Sequence, residues 1–242
     1  MNFDSENAIN RKGNMTTKTR YSGKLIALAA ATCALSATAY AEIVYDNSNP
    51  NSYKGSWFNA GVEFGDEVNL AGFGRIMTDF KVDYYLSPNA NGNETAQVRF
   101  YANDGSWNGQ VNGTPGTLLY DSGTVSLSIG DNNGFNTIDI ANLAINVPNN
   151  FTWTILFGGV DPIETLGVLF YDPPTVGSSY NDFWARTADG SWALNTFPAA
   201  NGQVANFGAQ VTAIPEPGTV ALAMVGGLIW LGVAARRRSE SK

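Results

Sequence analysis

The chain reads as an all-β protein, a β-sandwich of jelly-roll type, on three observations. Apolar residues recur with a period of two along six separate segments. Clusters of Gly, Asn, Asp, Ser and Pro, the residues of turns, divide those segments from one another. Between the two ends, no stretch holds a 3.6-residue apolar period for three turns. A barrel is the main alternative and a β-helix a more distant one. No repeat of about 20–50 residues occurs, which argues against solenoids and propellers.

The strongest segment spans residues 75–86, where Ile76, Thr78, Phe80, Val82, Tyr84 and Leu86 are predicted on one face and Asp79, Lys81 and Asp83 on the other. Ala96, Val98 and Phe100 then alternate with Gln97 and Arg99, after the turn-rich run 87–93. Val125, Leu127 and Ile129 alternate before the turn residues Asp131, Asn132, Asn133 and Gly134. Phe151, Trp153, Ile155 and Phe157 alternate with Thr152 and Thr154, and Leu166, Val168 and Phe170 repeat the pattern. Ala205, Phe207, Ala209 and Val211 close the series. The stretches 65–72, 100–105 and 115–120 look like a module found in secreted bacterial proteins with varied C-terminal anchors, a likeness that implies an extracellular sandwich and no activity.

Both ends carry targeting chemistry. Lys18, Arg20 and Lys24 precede an apolar stretch over 25–37, and Ala39-Tyr40-Ala41 supplies a small-x-small cleavage site, so residues 1–41 read as a secretory signal peptide. Met15 as an alternative start would leave a leader of more usual length. At the other end Pro215, Glu216 and Pro217 lead into an uncharged run over 220–235, which stops at Arg236, Arg237 and Arg238. As a helix this run would span roughly 24 Å against a hydrocarbon core of about 30 Å, so residues 214–242 read as a tail with a single short transmembrane helix. The positive-inside rule puts the arginines in the cytoplasm and residues 42–213 outside it.

This tail resembles the PEP-CTERM sorting signal of Gram-negative bacteria that make exopolysaccharide, matching it at Pro215, Glu216, Pro217, the apolar run and the arginine cluster. The resemblance implies recognition by an exosortase-type membrane transpeptidase with cleavage near the Pro-Glu-Pro step. It also implies a precursor held in the inner membrane and a mature form at the cell surface or beyond it. Those residues would be a recognition signal and not catalytic groups of this chain.

Composition narrows the chemistry. The only cysteine, Cys33, lies in the leader, and the chain has no histidine, which removes disulfides, zinc centres and Ser-His or Cys-His nucleophiles. Residues 42–213 hold 17 acidic and 5 basic side chains, a net charge of −12 (5 − 17), which repels nucleic acid. Carboxylate chemistry or oxygen-ligated calcium is what remains.

Gly-Ser-Trp occurs at Trp57, Trp107 and Trp192, and the last two copies follow Asp104 and Asp189. A loop indole can stack on a sugar ring while a neighbouring carboxylate bonds its hydroxyls, which makes Trp107, Trp192, Asp104 and Asp189 candidate glycan contacts. The competing reading is a turn followed by a core tryptophan. Asp131-Asn132-Asn133-Gly134 and Asp66-Glu67 offer oxygen ligands for a structural Ca²⁺, without a full EF-hand pattern. Glu63, Asp66 and Glu67, or Asp161 and Glu164, are the carboxylates a glycosidase would need. No metal or cofactor is expected beyond that calcium, and no catalytic residue is assigned. The expected role is structural or adhesive in an exopolysaccharide matrix, with a carbohydrate-binding module as the alternative and a glycosidase third.

Overall fold

Alternating apolar and polar side chains give each segment one face to bury, and among the described residues fifteen strands satisfy that demand by pairing into two antiparallel sheets. The computed structural model describes residues 40–106, 113–128, 134–197 and 204–216, with isolated positions 218, 226–227 and 229–230 beyond them. Ala39–Val220 make one compact unit, which holds all fifteen strands. The strands are β1 (Glu42–Asp46), β2 (Tyr53–Phe58), β3 (Phe64–Asn69), β4 (Gly74–Leu86), β5 (Thr95–Ala102), β6 (Leu118–Asp121), β7 (Val125–Ser126) and β8 (Phe135–Ile140). They continue with β9 (Ile145–Asn146), β10 (Asn150–Gly158), β11 (Leu166–Tyr171), β12 (Ser178–Ser179), β13 (Phe183–Arg186), β14 (Trp192–Asn195) and β15 (Ala209–Pro215).

The first sheet runs β1-β15-β4-β11-β2, with β8 and β9 on the other edge of the long strand β4. The second runs β14-β13-β3-β10-β5-β6, with β12 on β3 and β7 on β5. Apolar faces of both sheets meet in an aromatic core. Phe207 sits at its centre, in ring contact with Trp57, Phe64, Trp153, Phe170 and Phe183. Phe80, Phe100, Phe151 and Phe157 are fully buried around it. The sheets and core bear out an all-β sandwich.

Local departures from simple alternation have identifiable causes. In β4, Asp79 pairs with Thr212 and Met77 with the next residue, Ala213, so Thr78 is an inserted bulge. The bulge moves the inward set to Met77, which is fully buried, and leaves Ile76 and Thr78 half-buried in place of the expected inward positions. Val125 sits exposed in a two-residue strand, whereas Leu127 is buried and Ile129 lies outside the described residues. Thr152 and Thr154, on the polar side of β10, are as buried as the phenylalanines opposite. Something therefore covers the outer face of the second sheet.

At the C-terminal end, β15 runs through Ile214 and Pro215, and Pro215 pairs with Gly74. Among the described residues no helix is long and apolar enough to cross a membrane. Residues 1–39 of the expected 1–41 leader, Pro217 and most of the apolar run lie outside the described residues, as do Arg236, Arg237 and Arg238.

Candidate functional site

The three Gly-Ser-Trp copies have different fates. Trp57 enters the core, with ring centroids 4.3 Å from Phe183 and 4.8 Å from Phe64. Trp107 lies outside the described residues, and so does the loop 129–133 that holds Asp131. Asp104 accepts from the Thr117 amide and hydroxyl, both at 2.7 Å, and these bonds hold its carboxyl below the usual range. Asp189 accepts from the Thr187 hydroxyl at 2.5 Å and from the Ser191 amide and hydroxyl at 3.0 and 2.8 Å. Those bonds, the Thr187 one foremost, pull it down to about 2. Both aspartates shape their own loops.

Of the three described candidates, Trp192 joins a larger cluster. Its ring meets Tyr101 edge-on at 5.4 Å, and the Arg186 guanidinium lies 5.5 Å from its centroid. In sheet order β14 is separated from β5 by β13, β3 and β10, roughly 19 Å at the usual strand spacing. The hairpin β13–β14 therefore curls over the outer face on the side of Thr154, while the Thr152 hydroxyl donates to Asn103 at 2.7 Å. Beneath it Glu63 is saturated: it accepts from Arg99 at 2.7 Å, Arg186 at 3.2 Å, and the hydroxyls of Tyr101 and Thr154 at 2.8 Å each. Arg99 also donates to Asp121 at 2.8 Å. Burial, then the Glu63 carboxylate, pushes the Tyr101 hydroxyl well above its ordinary range. Each of these charges has its partner, so the cluster is a clasp that fixes the hairpin.

Among the described residues, the acidic side chains considered for catalysis or calcium form no group that could hold a metal ion. Asp66 and Glu67 are successive residues of β3 and point to opposite faces. Asp66 faces the core, accepting from the Ser179 hydroxyl at 2.7 Å and the Phe207 amide at 3.1 Å. Glu67 accepts from Asn150 at 2.8 Å on the outer side. Asp161 and Glu164 brace a loop through Asn91, with bonds of 2.7 and 3.1 Å.

A second surface has no signature in the sequence. On the outer face of the first sheet, rings run in series from Phe58 to Tyr85, Phe135, Tyr53 and Tyr171, with successive centroids 5.8, 5.7, 5.8 and 6.0 Å apart. Phe58, Tyr53 and Phe135 are 49%, 43% and 42% exposed. Two glycines form the floor. Gly167 pairs with both Phe58 and Tyr85, so these rings meet above it. A Cβ on Gly208 would come within 2.5 Å of the Tyr171 ring. Beside the strip lies a groove of about 580 Å³ lined by Ser48, Pro50, Lys81, Asp83, Thr137, Asp139, Ala209 and Gln210. Asp83 accepts from Thr137 at 2.7 Å, and burial raises its pKa. The rings come from β2, β4, β8 and β11, so no spacing along the chain could have joined them.

No family model, no curated protein and no solved structure matches the chain.

Proposed function

We propose that this is an exported cell-envelope protein, sorted by an exosortase-type transpeptidase and serving a structural or adhesive role in an exopolysaccharide matrix. The observation that carries this reading is the place where the two processing signals meet the fold. Glu42, the first residue after the expected leader cleavage, pairs with Ala213, and Pro215 of the sorting motif pairs with Gly74. Gly74 also donates its amide to the Glu42 carboxylate at 2.6 Å. Leader and tail thus leave one end of one sheet, as suits a passenger tethered to the same membrane at both ends during export. Glu63 clasps a hairpin, Asp161 and Glu164 brace a loop, and Asp66 and Glu67 point to opposite faces of β3, an arrangement that supports a passive role over an enzymatic one. The chain's crossing between sheets at β3 to β4 to β5, and again at β10 to β11 to β12, supports the jelly-roll assignment.

The test compares cells carrying the natural chain with cells carrying Pro215→Ala/Glu216→Ala/Pro217→Ala. The natural protein is expected in the outer envelope or medium with its C-terminal mass cut near Pro215. The variant should stay in the inner membrane at full mass. A natural chain that stays uncut and cytoplasmic would overturn the reading.

A further inference from the structure

We propose that the outer face of the first sheet binds an uncharged polysaccharide, its pyranose rings stacking on Phe58, Tyr85, Phe135 and Tyr53 and its hydroxyls bonding the neighbouring groove. This deepens the adhesive reading by naming a ligand class and a site. Four features of the face converge on that chemistry. The rings form one continuous strip and three are nearly half exposed, an uncommon outlay of aromatic surface in a body with a complete core elsewhere. Pyranose C–H faces pack on aromatic rings, while a protein partner would need the groove beside them desolvated as well.

The groove supplies what sugar hydroxyls require. Asp83 and Asp139 accept, Thr137 and Gln210 both donate and accept, and Lys81 donates. A hydroxyl donating to a carboxylate makes a charge-assisted bond, about twice as strong as a neutral one. Charge also selects the ligand. Lys81 is the only cation among the described residues of the groove and already pairs with Asp139 at 3.4 Å, while Asp83 lies close enough to Asp46 for their charges to interact. An anionic polymer meets net repulsion there. A second copy of this chain would set the same carboxylates against each other across a two-fold axis. Gly208 carries no side chain, so the buried Tyr171 ring packs against its backbone beside Asp83 and joins the strip to the groove.

The experiment is affinity electrophoresis of the full chain in mild detergent, through native gels containing hydroxyethyl cellulose, laminarin, dextran or alginate. At least one of the three neutral polymers should retard the protein, and alginate should not. Phe58→Ala/Phe135→Ala should weaken that retardation at least tenfold while the melting temperature moves by only a few degrees, because both rings are half exposed. If that variant unfolds, Asp139→Ala serves instead, since its carboxylate is half exposed, and should weaken binding several-fold. Retardation by none of the neutral polymers, equal retardation by alginate, or unchanged binding in the folded variants would overturn the proposal. So would a concentration-dependent dimer abolished by the double variant, which would make the strip a self-association face. The assay uses purified protein, so an error in the sorting assignment leaves its result unaffected.

Discussion

Phe64, Asp66 and Val68 point inward from one strand, and the carboxylate among them is held by a hydroxyl and an amide with no cation beside it among the described residues. Burial is the main force raising the Asp66 pKa well above its usual range, and the two hydrogen bonds oppose it. A raised folded-state pKa means that the native state binds the proton more tightly than the unfolded chain does. Its contribution to stability is then fully present below the unfolded value of about 3.9 and is lost as pH rises through the folded value. Asp66→Asn keeps the shape and removes the titration. Urea unfolding between pH 4 and pH 8 should show the variant gaining on the natural protein as pH rises. The comparison cancels the opposite-signed contributions of Asp121, Asp104 and Asp189, whose lowered values favour folding at higher pH. A constant difference across the range would mean that Asp66 ionises as freely in the fold as outside it. Adjacency in sequence points to a calcium site shared with Glu67, but strand geometry sends the two side chains to opposite sides.

At the level of elements, β15 holds the first sheet together, because it pairs with β1 on one edge and β4 on the other. A chain ending at Glu216 keeps every one of those pairs and should melt within a few degrees of the full chain. A chain ending at Gly208 loses them all, strips the cover from Phe80 and Val82, and should give no cooperative transition by circular dichroism. Alternation in the sequence is enough to locate β4, β5, β10 and β11, because each has one face in a common core. It fails where burial is made by something other than the core. Thr152 and Thr154 read as a wet face, yet Asn103 bonds the first and Glu63 the second, and the Glu63 cluster is closed by a hairpin curling back from 30 or more residues downstream. Met77 replaces its neighbours because a bulge at Thr78 resets the phase, and nothing local in the residues 75–79 announces a bulge. The aromatic strip is illegible for a further reason: its members lie on four strands whose order in the sheet differs from their order in the chain.

Across the whole molecule, the first described strand pairs with the last, so the first sheet is not complete until nearly the entire body has been made. Such non-local closure places folding in the slow range of milliseconds to seconds. That leaves time for an unfolded chain to be moved before its sheets close. The same pairing makes the body a cassette. Its entrance and exit stand one ladder rung apart, at about 5 Å between facing backbones, so a linker of a few residues could join Glu216 to Ala41 and the chain be cut open between Ser87 and Asn93 instead. That circular permutant should fold with a melting temperature within about 10 °C of the parent's, a shift on the order of 2.5–5 kcal/mol for a body this size. By the same geometry, the body could be grafted into a surface turn of an unrelated host without prising that turn apart.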